Sequence, residues 1–255
     1  MADNKPLRGQ VALVTGGSSG LGKAAALALA GAGASVAVVA RSAEDLEAAV
    51  SAITTGSGDG VQALAVPLDL ADAAEVVRAV EKVQKELGPV TILVNAAGTD
   101  VPGSVEDIDA AGWDRVMNVN LRAVFLLAKA VFPGMRQAGG GTIINIGSVA
   151  GRRGWANAGA YCASKFALTG LTQSLAAEGK EHGIRACLLY PGAMDTQWGA
   201  WSPDDRDQGT SAAAPANESL PPGHVADLIA WIAQSPREMV LNEVTVTPLL
   251  EKGWP

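Results

Sequence analysis

The sequence is short of the side chains that bind metals and cross-link chains: its 255 residues hold two cysteines and two histidines. Cys162 and Cys187 lack the paired spacing of a zinc site, and a reducing compartment would keep both as structural thiols, so neither a disulfide scaffold nor a metal is expected. Basic residues are scarce too, with 19 Lys and Arg against 26 Asp and Glu and a net charge of -7. A nucleic-acid partner requires clustered Lys and Arg, so none is expected. Met1 to Gln10 has no apolar core of signal-peptide type, and no segment approaches the uninterrupted apolar length of a membrane span. The expectation is a cytoplasmic protein that meets small molecules, not membranes.

Apolar residues make up 48% of the chain, charged residues 18%, and glycine is abundant at 30. That balance belongs to folded α/β enzymes, and the length suits one large domain over residues 1–255. Short β-branched or apolar runs recur at Val11–Thr15, Ser35–Ala40, Val61–Val66, Thr91–Asn95, Thr142–Ile146, Ile184–Leu189 and Val244–Thr247. Segments of helical period lie between them. Ala71 to Leu87 carries Ala74, Val77, Val80 and Val83 as its apolar stripe, and Trp113 to Gln137 carries Val116, Val119, Ala123 and Leu126. Alternation of this kind predicts an α/β fold, with right-handed crossovers giving a doubly wound, mainly parallel sheet of seven strands covered by helices on both faces. Residues 54–60 read as a surface loop, and a longer irregular stretch over about 194–222 reads as a lid at the carboxyl end of the sheet.

Directly after the first run comes Thr15-Gly16-Gly17-Ser18-Ser19-Gly20-Leu21-Gly22, followed by an alanine-rich helical segment. Glycines permit a tight turn and close approach of a pyrophosphate, and the free N–H groups at the helix start stabilise the anion. About 20 positions on, where a dinucleotide site usually has an acid for the ribose hydroxyls, stand Ala40 and then Arg41. A guanidinium there pairs with a 2′-phosphate, so NADP(H) is favoured and NAD(H) is the alternative. Ser42 and Asp45 form a capping box beside it.

The spacing T-G-x-x-x-G-x-G, carried by Thr15, Gly16, Gly20 and Gly22, resembles the short-chain dehydrogenase/reductase family in its compact branch of about 250 residues, and the likeness runs along the whole chain. It implies a single Rossmann-type domain. It further implies that Ser18, Ser19, Leu21 and Ser42 join the cofactor contacts, that Asp69 and Leu70 flank the adenine, and that Asn95-Ala96-Ala97-Gly98 lines the cofactor. Ala96 stands where the family usually has a second asparagine. Read from its position alone, Asp69 serves equally well as the cap of a helix starting near Ala71.

Tyr161 and Lys165 lie four apart in a helical pattern, on one face. An ammonium beside a phenol favours the phenolate, which predicts a lowered Tyr161 pKa and a tyrosine able to give and recover a proton. Ser148 ends the fifth run just ahead of this helix. The Ser, Tyr, Lys spacing resembles the family's catalytic pattern, and Asn120 matches the family's helix-borne asparagine that holds a water, with Asn118 as the competing choice. The resemblance implies that Ser148 bonds the substrate oxygen, Tyr161 protonates it, and Lys165 tunes Tyr161 and grips the nicotinamide ribose. Pro191, Gly192 and Thr196 would hold the nicotinamide end. Val246-Thr247-Pro248-Leu249-Leu250 replaces the Asp-Gly-Gly turn of many relatives.

Trp155, Ala156 and Asn157, with Met194, Trp198 and Trp201 of the lid, are expected to wall an apolar substrate pocket. The reading is an NADP(H)-dependent ketone or aldehyde reductase, 3-oxoacyl reductases among the models for it. The rival is an NAD-dependent alcohol or hydroxysteroid dehydrogenase, and more remotely a non-catalytic dinucleotide sensor. The family likeness also implies a homotetramer or homodimer joined through the helices of Trp113–Gln137 and Gly159–Gly179.

Overall fold

The computed structural model describes residues 5–196, 198 and 218–251. Each apolar run forms a strand: β1 (Val11–Thr15), β2 (Ser35–Ala40), β3 (Ala63–Pro67), β4 (Ile92–Asn95), β5 (Gly141–Ile146), β6 (Ile184–Pro191) and β7 (Glu243–Val246). They build one seven-stranded sheet in the order β3-β2-β1-β4-β5-β6-β7, and every neighbouring pair is parallel. Helices α1 (Gly20–Gly31), α2 (Ala43–Ser57), α3 (Ala73–Leu87), α4 (Ala110–Met117), α5 (Ala123–Gln137), α6 (Gly159–Gly179) and α7 (Pro222–Gln234) make the crossovers.

Side chains alternate along each strand, and on β1, β2, β4 and β5 both sets are buried. Ala12, Val14, Val36, Val38, Val94 and Ile144 face a core closed by α1, α2 and α7. Val11, Leu13, Ala37, Val39, Leu93 and Ile143 face a second core closed by α3, α5 and α6.

Four expectations are corrected. The buried stripe of α3 is Val76, Ala79, Val80 and Val83, whereas Ala74 is exposed and Val77 is 40% exposed. Repeated steps of three precess by about 60° each around a helix, so the 74-77-80-83 series leaves the face that the 76-80-83 series holds. The loop expected at residues 54–60 is shorter, because α2 continues to Ser57. The helix expected from Trp113 starts at Ala110, capped by the Asp109 carboxylate accepting from Gly112 N–H at 2.7 Å. It is interrupted by a π turn over Asn118–Arg122 between α4 and α5. Taken through the π turn, Ala110–Gln137 is long and apolar enough to cross a membrane by length and composition, contrary to the expectation that no segment approaches that length. Its Val116, Val119, Ala123, Leu127 and Val131 are buried, four of them in the second core.

A polar chain threads the sheet. Asn95 Nδ2 donates to Asn145 Oδ1 at 2.8 Å, Asn145 Nδ2 to Thr172 Oγ1 at 2.9 Å, and Thr172 Oγ1 to Leu168 O at 2.7 Å. It locks β4, β5 and α6 into one register. Asn145→Ala leaves buried donors and acceptors on both sides unpaired, and a loss on the order of 2 kcal/mol is expected in urea unfolding. Unchanged stability would show that the chain is not structural.

Candidate active site

Strand order reverses between β1 and β4, which opens a crevice at the carboxyl ends of the sheet. The glycine loop occupies that point. Gly16 (φ 69°) and Gly20 (φ 50°) adopt left-handed conformations. A Cβ on Gly22 would overlap the Gly16 carbonyl oxygen. Gly17, which the fingerprint spacing leaves free, is equally constrained: a Cβ there would lie 2.6 Å from Val38 Cβ. Thr15 Oγ1 accepts from Ala97 N–H at 3.1 Å and so ties the loop after β4 to the end of β1. Ser19 precedes α1 without a side-chain cap bond, which leaves the first helical N–H groups for an anion. Glycine cradle and uncapped helix start together fit the pyrophosphate of a nicotinamide dinucleotide.

Arg41 is exposed at the end of β2, after the partly buried Ala40. Ser42 Oγ caps α2 by accepting from Asp45 N–H at 3.2 Å. Asp69 is not a helix cap, since Asp72 fills that role for α3. Asp69 instead accepts from Ala71 N–H at 2.9 Å and pairs with Arg115 at 2.7 Å, which binds the loop after β3 to α4. Burial works against its charge, but the Arg115 hydrogen bond, the Ala71 N–H and the fields of Arg115 and Arg41 hold the carboxyl below its usual range. Leu70, beside it, is buried in the second core. At the end of β4, Asn95 is committed to Asn145, and Ala96 and Ala97 are partly buried against opposite cores.

Ser148, Tyr161 and Lys165 converge where β5 meets the first turns of α6, and all are buried. Ser148 accepts from Ala150 N–H at 3.1 Å and lies close enough to Tyr161 to favour its phenolate. Lys165 Nζ donates to Ile146 O at 2.7 Å and lies 5.6 Å from the centroid of the Tyr161 ring. The expected lowering of the Tyr161 pKa is reversed. Burial pushes the phenol up, Ser148 opposes this only in part, and the fields of Asp100 and Cys162 add to the rise. Burial likewise depresses Lys165 to about 8. Desolvation favours the neutral form of each group and here outweighs their attraction.

Asn120 sits in the π turn at 1% exposure. Its Oδ1 accepts from Thr99 N–H at 2.9 Å, and its Nδ2 donates to Thr99 O at 2.9 Å and to Ser164 Oγ at 3.0 Å. The amide therefore staples the loop after β4 to α6. Asn118 lies elsewhere, in a surface groove of about 500 Å³ with Met117, Leu121, Phe125 and Leu171.

Past β6, Gly192 N–H donates to Val246 O at 2.9 Å, and a Cβ on Gly192 would collide with the Glu251 carboxylate. That carboxylate accepts from Ala193 N–H at 2.8 Å, so the segment replacing the Asp-Gly-Gly turn braces the Pro191-Gly192 bend. Met194 bridges to Leu220, and Thr196 lies against Gly20, where a Cβ would be 3.4 Å from Thr196 Cγ2. The expected substrate wall divides in two. Trp198 packs on Tyr161 with ring centroids 5.3 Å apart. Trp155, Ala156 and Asn157 line a cavity of about 600 Å³ with Gly103, Ser104, Val105, Ile108 and Trp113, and its lining does not include Trp198. Trp201 and most of the expected lid lie outside the described residues. Sequence reasoning missed Gly17, Thr99, Asp100, Ser164 and Glu251. Only Gly17 carried a local signal, as a third glycine in the loop.

Residues 10–207 match the model of a family described as short chain dehydrogenase. D-threitol dehydrogenase of Mycolicibacterium smegmatis is 36% identical over 92% of this chain and 89% of its own length. LinX, a 2,5-dichloro-2,5-cyclohexadiene-1,4-diol dehydrogenase of Sphingobium indicum, is 33% identical over 97% of each chain. Among solved structures, a metagenomic short-chain oxidoreductase in complex with NADP superposes with a TM-score of 0.81 at 34% identity, over 96% of this chain and 100% of that one. A blue fluorescent protein from a metagenomic library, in complex with NADPH, gives 0.81 at 35% identity, over 95% and 98%.

The depressed Lys165 pKa has a signed consequence. Between about 8 and 10.5 the unfolded lysine holds its proton and the folded one does not, so stability from this group is present above that window and lost as pH falls through it. In urea unfolding of the cofactor-free protein, the stability of wild type minus that of Lys165→Met is expected to rise across the window. A flat difference would mean that Lys165 keeps its ordinary pKa.

Proposed function

The chain belongs to the short-chain dehydrogenase/reductase family of oxidoreductases, and from that premise we propose that it transfers hydride between NADP(H) and a ketone, aldehyde or alcohol. The observation that carries the reading is the buried convergence of Ser148, Tyr161 and Lys165 at the carboxyl end of β5. A buried phenol with a raised pKa keeps its proton until a more basic oxygen arrives, as the oxygen of a carbonyl under reduction is. Ser148 orients that oxygen. Lys165, fixed on Ile146 O, holds a cation behind the phenol and offers donors to the nicotinamide ribose. Asn120 acts as a positioning residue, since its side chain is fully used in holding Thr99 and Ser164. The bound nicotinamide supplies or accepts the hydride.

The preference for NADP(H) rests on Arg41 following Ala40, and the complexes of two similar proteins with NADP and NADPH support it. We also propose self-association through the helical face where Phe125 and Phe166 are 47% and 46% exposed beside the Met117–Leu171 groove. Light scattering is expected to give a dimer or tetramer, and a monomer at micromolar concentration would remove this part.

Tyr161→Phe is expected to lower kcat by about a thousandfold or more, with NADPH affinity nearly retained in fluorescence titration. Arg41→Ala is expected to raise KM for NADPH by about tenfold while leaving that for NADH little changed. Full turnover by Tyr161→Phe would end the proposed mechanism. Equal effects of Arg41→Ala on the two cofactors would move the assignment to an NAD-dependent dehydrogenase.

A further inference from the structure

The loop after β4 carries a carboxylate across the site. Its residues 99–103 are tethered at both ends to the start of α6. At one end the Asn120 amide holds Thr99 and reaches Ser164. At the other, Gly103 N–H donates to Asn157 O at 3.0 Å and Gly103 bridges to Ala158. Ala158 and Ser164 stand three residues before and three after Tyr161, so the tethers hold the segment bearing Asp100 along the face of α6 that carries the phenol. Gly98, two residues before Asp100, approaches the same region: a Cβ there would lie 3.4 Å from the Trp198 ring that packs on Tyr161.

Asp100 is partly buried, and one carboxylate oxygen accepts from Val101 N–H at 2.8 Å. Among the described residues no Lys, Arg or His pairs with it. Burial raises its pKa, and its field raises that of Tyr161. A carboxylate with no counter-ion among the described residues, near a tyrosine on which Trp198 packs, suits an alkylammonium: the carboxylate neutralises the charge and ring faces attract it. A net charge of -7 draws cations in the same direction.

We infer that Asp100, with the Trp198 ring, recognises a protonated amine on the substrate, so that the favoured substrates are amino alcohols and the corresponding amino ketones. The inference rests on the oxidoreductase reading and narrows it. The redox step is that of the family reaction: the carbonyl carbon gains the hydride, its oxygen gains the Tyr161 proton, and the dinucleotide is oxidised. A bound ammonium would also cancel the Asp100 field at the phenol and ease that proton transfer. A neutral hydroxyl can donate to the carboxylate but leaves its charge in place.

The test compares 1-amino-2-propanol with 1,2-propanediol, near-isosteric alcohols that differ in charge, in wild type and Asp100→Asn with NADP⁺. Quenching of tryptophan fluorescence by propylammonium chloride serves as a readout without turnover. The expected result is a kcat/KM at least about tenfold higher for the amine in wild type, with that ratio falling about tenfold or more in the variant and propylammonium quenching weakened. Equal use of both alcohols by wild type, or an equal loss on both in Asp100→Asn, overturns the assignment and leaves the oxidoreductase reading standing. Charge-dependent quenching that Asp100→Asn abolishes, in a protein that turns over no alcohol or ketone, supports the ammonium site and overturns the oxidoreductase reading instead.

Discussion

Both faces of a parallel sheet have to be covered, because its strands can be joined only by crossovers that lay helices against them. That constraint governs the rest of this molecule. It requires the inner strands to be apolar on both sides, and the two sets of alternating residues on β1, β2, β4 and β5 feed two separate cores. Right-handed crossovers running outward in both directions from β1 and β4 then leave a crevice where the order reverses. The glycine loop, Asn95, Ser148 and Pro191 all stand at strand ends on that edge, although 176 positions separate Thr15 from Pro191 in the sequence.

Packing alone would leave those strand ends as independent loops, and polar side chains join them. Thr15 ties the glycine loop to Ala97, Asn95 and Asn145 tie β4 to β5 and α6, and Asn120 ties Thr99 to Ser164. The π turn bearing Asn120 interrupts an otherwise continuous helix, and π turns of this kind cluster at functional sites because the extra residue redirects a side chain. Here the redirected group is an amide whose donors and acceptor are all used. The loop it holds carries Asp100 along the α6 face that bears the phenol, so a fixed scaffold and a substrate-facing carboxylate come from the same device.

Desolvation decides the electrostatics of the site. The sequence places a lysine one turn from a tyrosine and predicts mutual stabilisation of charge. In the fold both groups are buried, Lys165 is turned toward Ile146 O, and each is shifted toward its neutral form. The same burial raises Asp100, which has no compensating cation among the described residues.

What was legible in the sequence was what depends on neighbours along the chain. The strands follow from short apolar runs, the glycine cradle from Gly16, Gly20 and Gly22, the α2 cap from Ser42 and Asp45, and the shared face of Tyr161 and Lys165 from their spacing. The structure alone decided the features that depend on partners distant in sequence. Asp69 is a partner of Arg115 and not a cap, Trp155 lines a cavity while Trp198 packs on Tyr161, Gly17 is constrained by Val38, and Glu251 braces Ala193. The division has one physical reason. Backbone periodicity and capping are set within a few residues, whereas burial, counter-ions and steric limits are set by whatever the closed fold brings within reach.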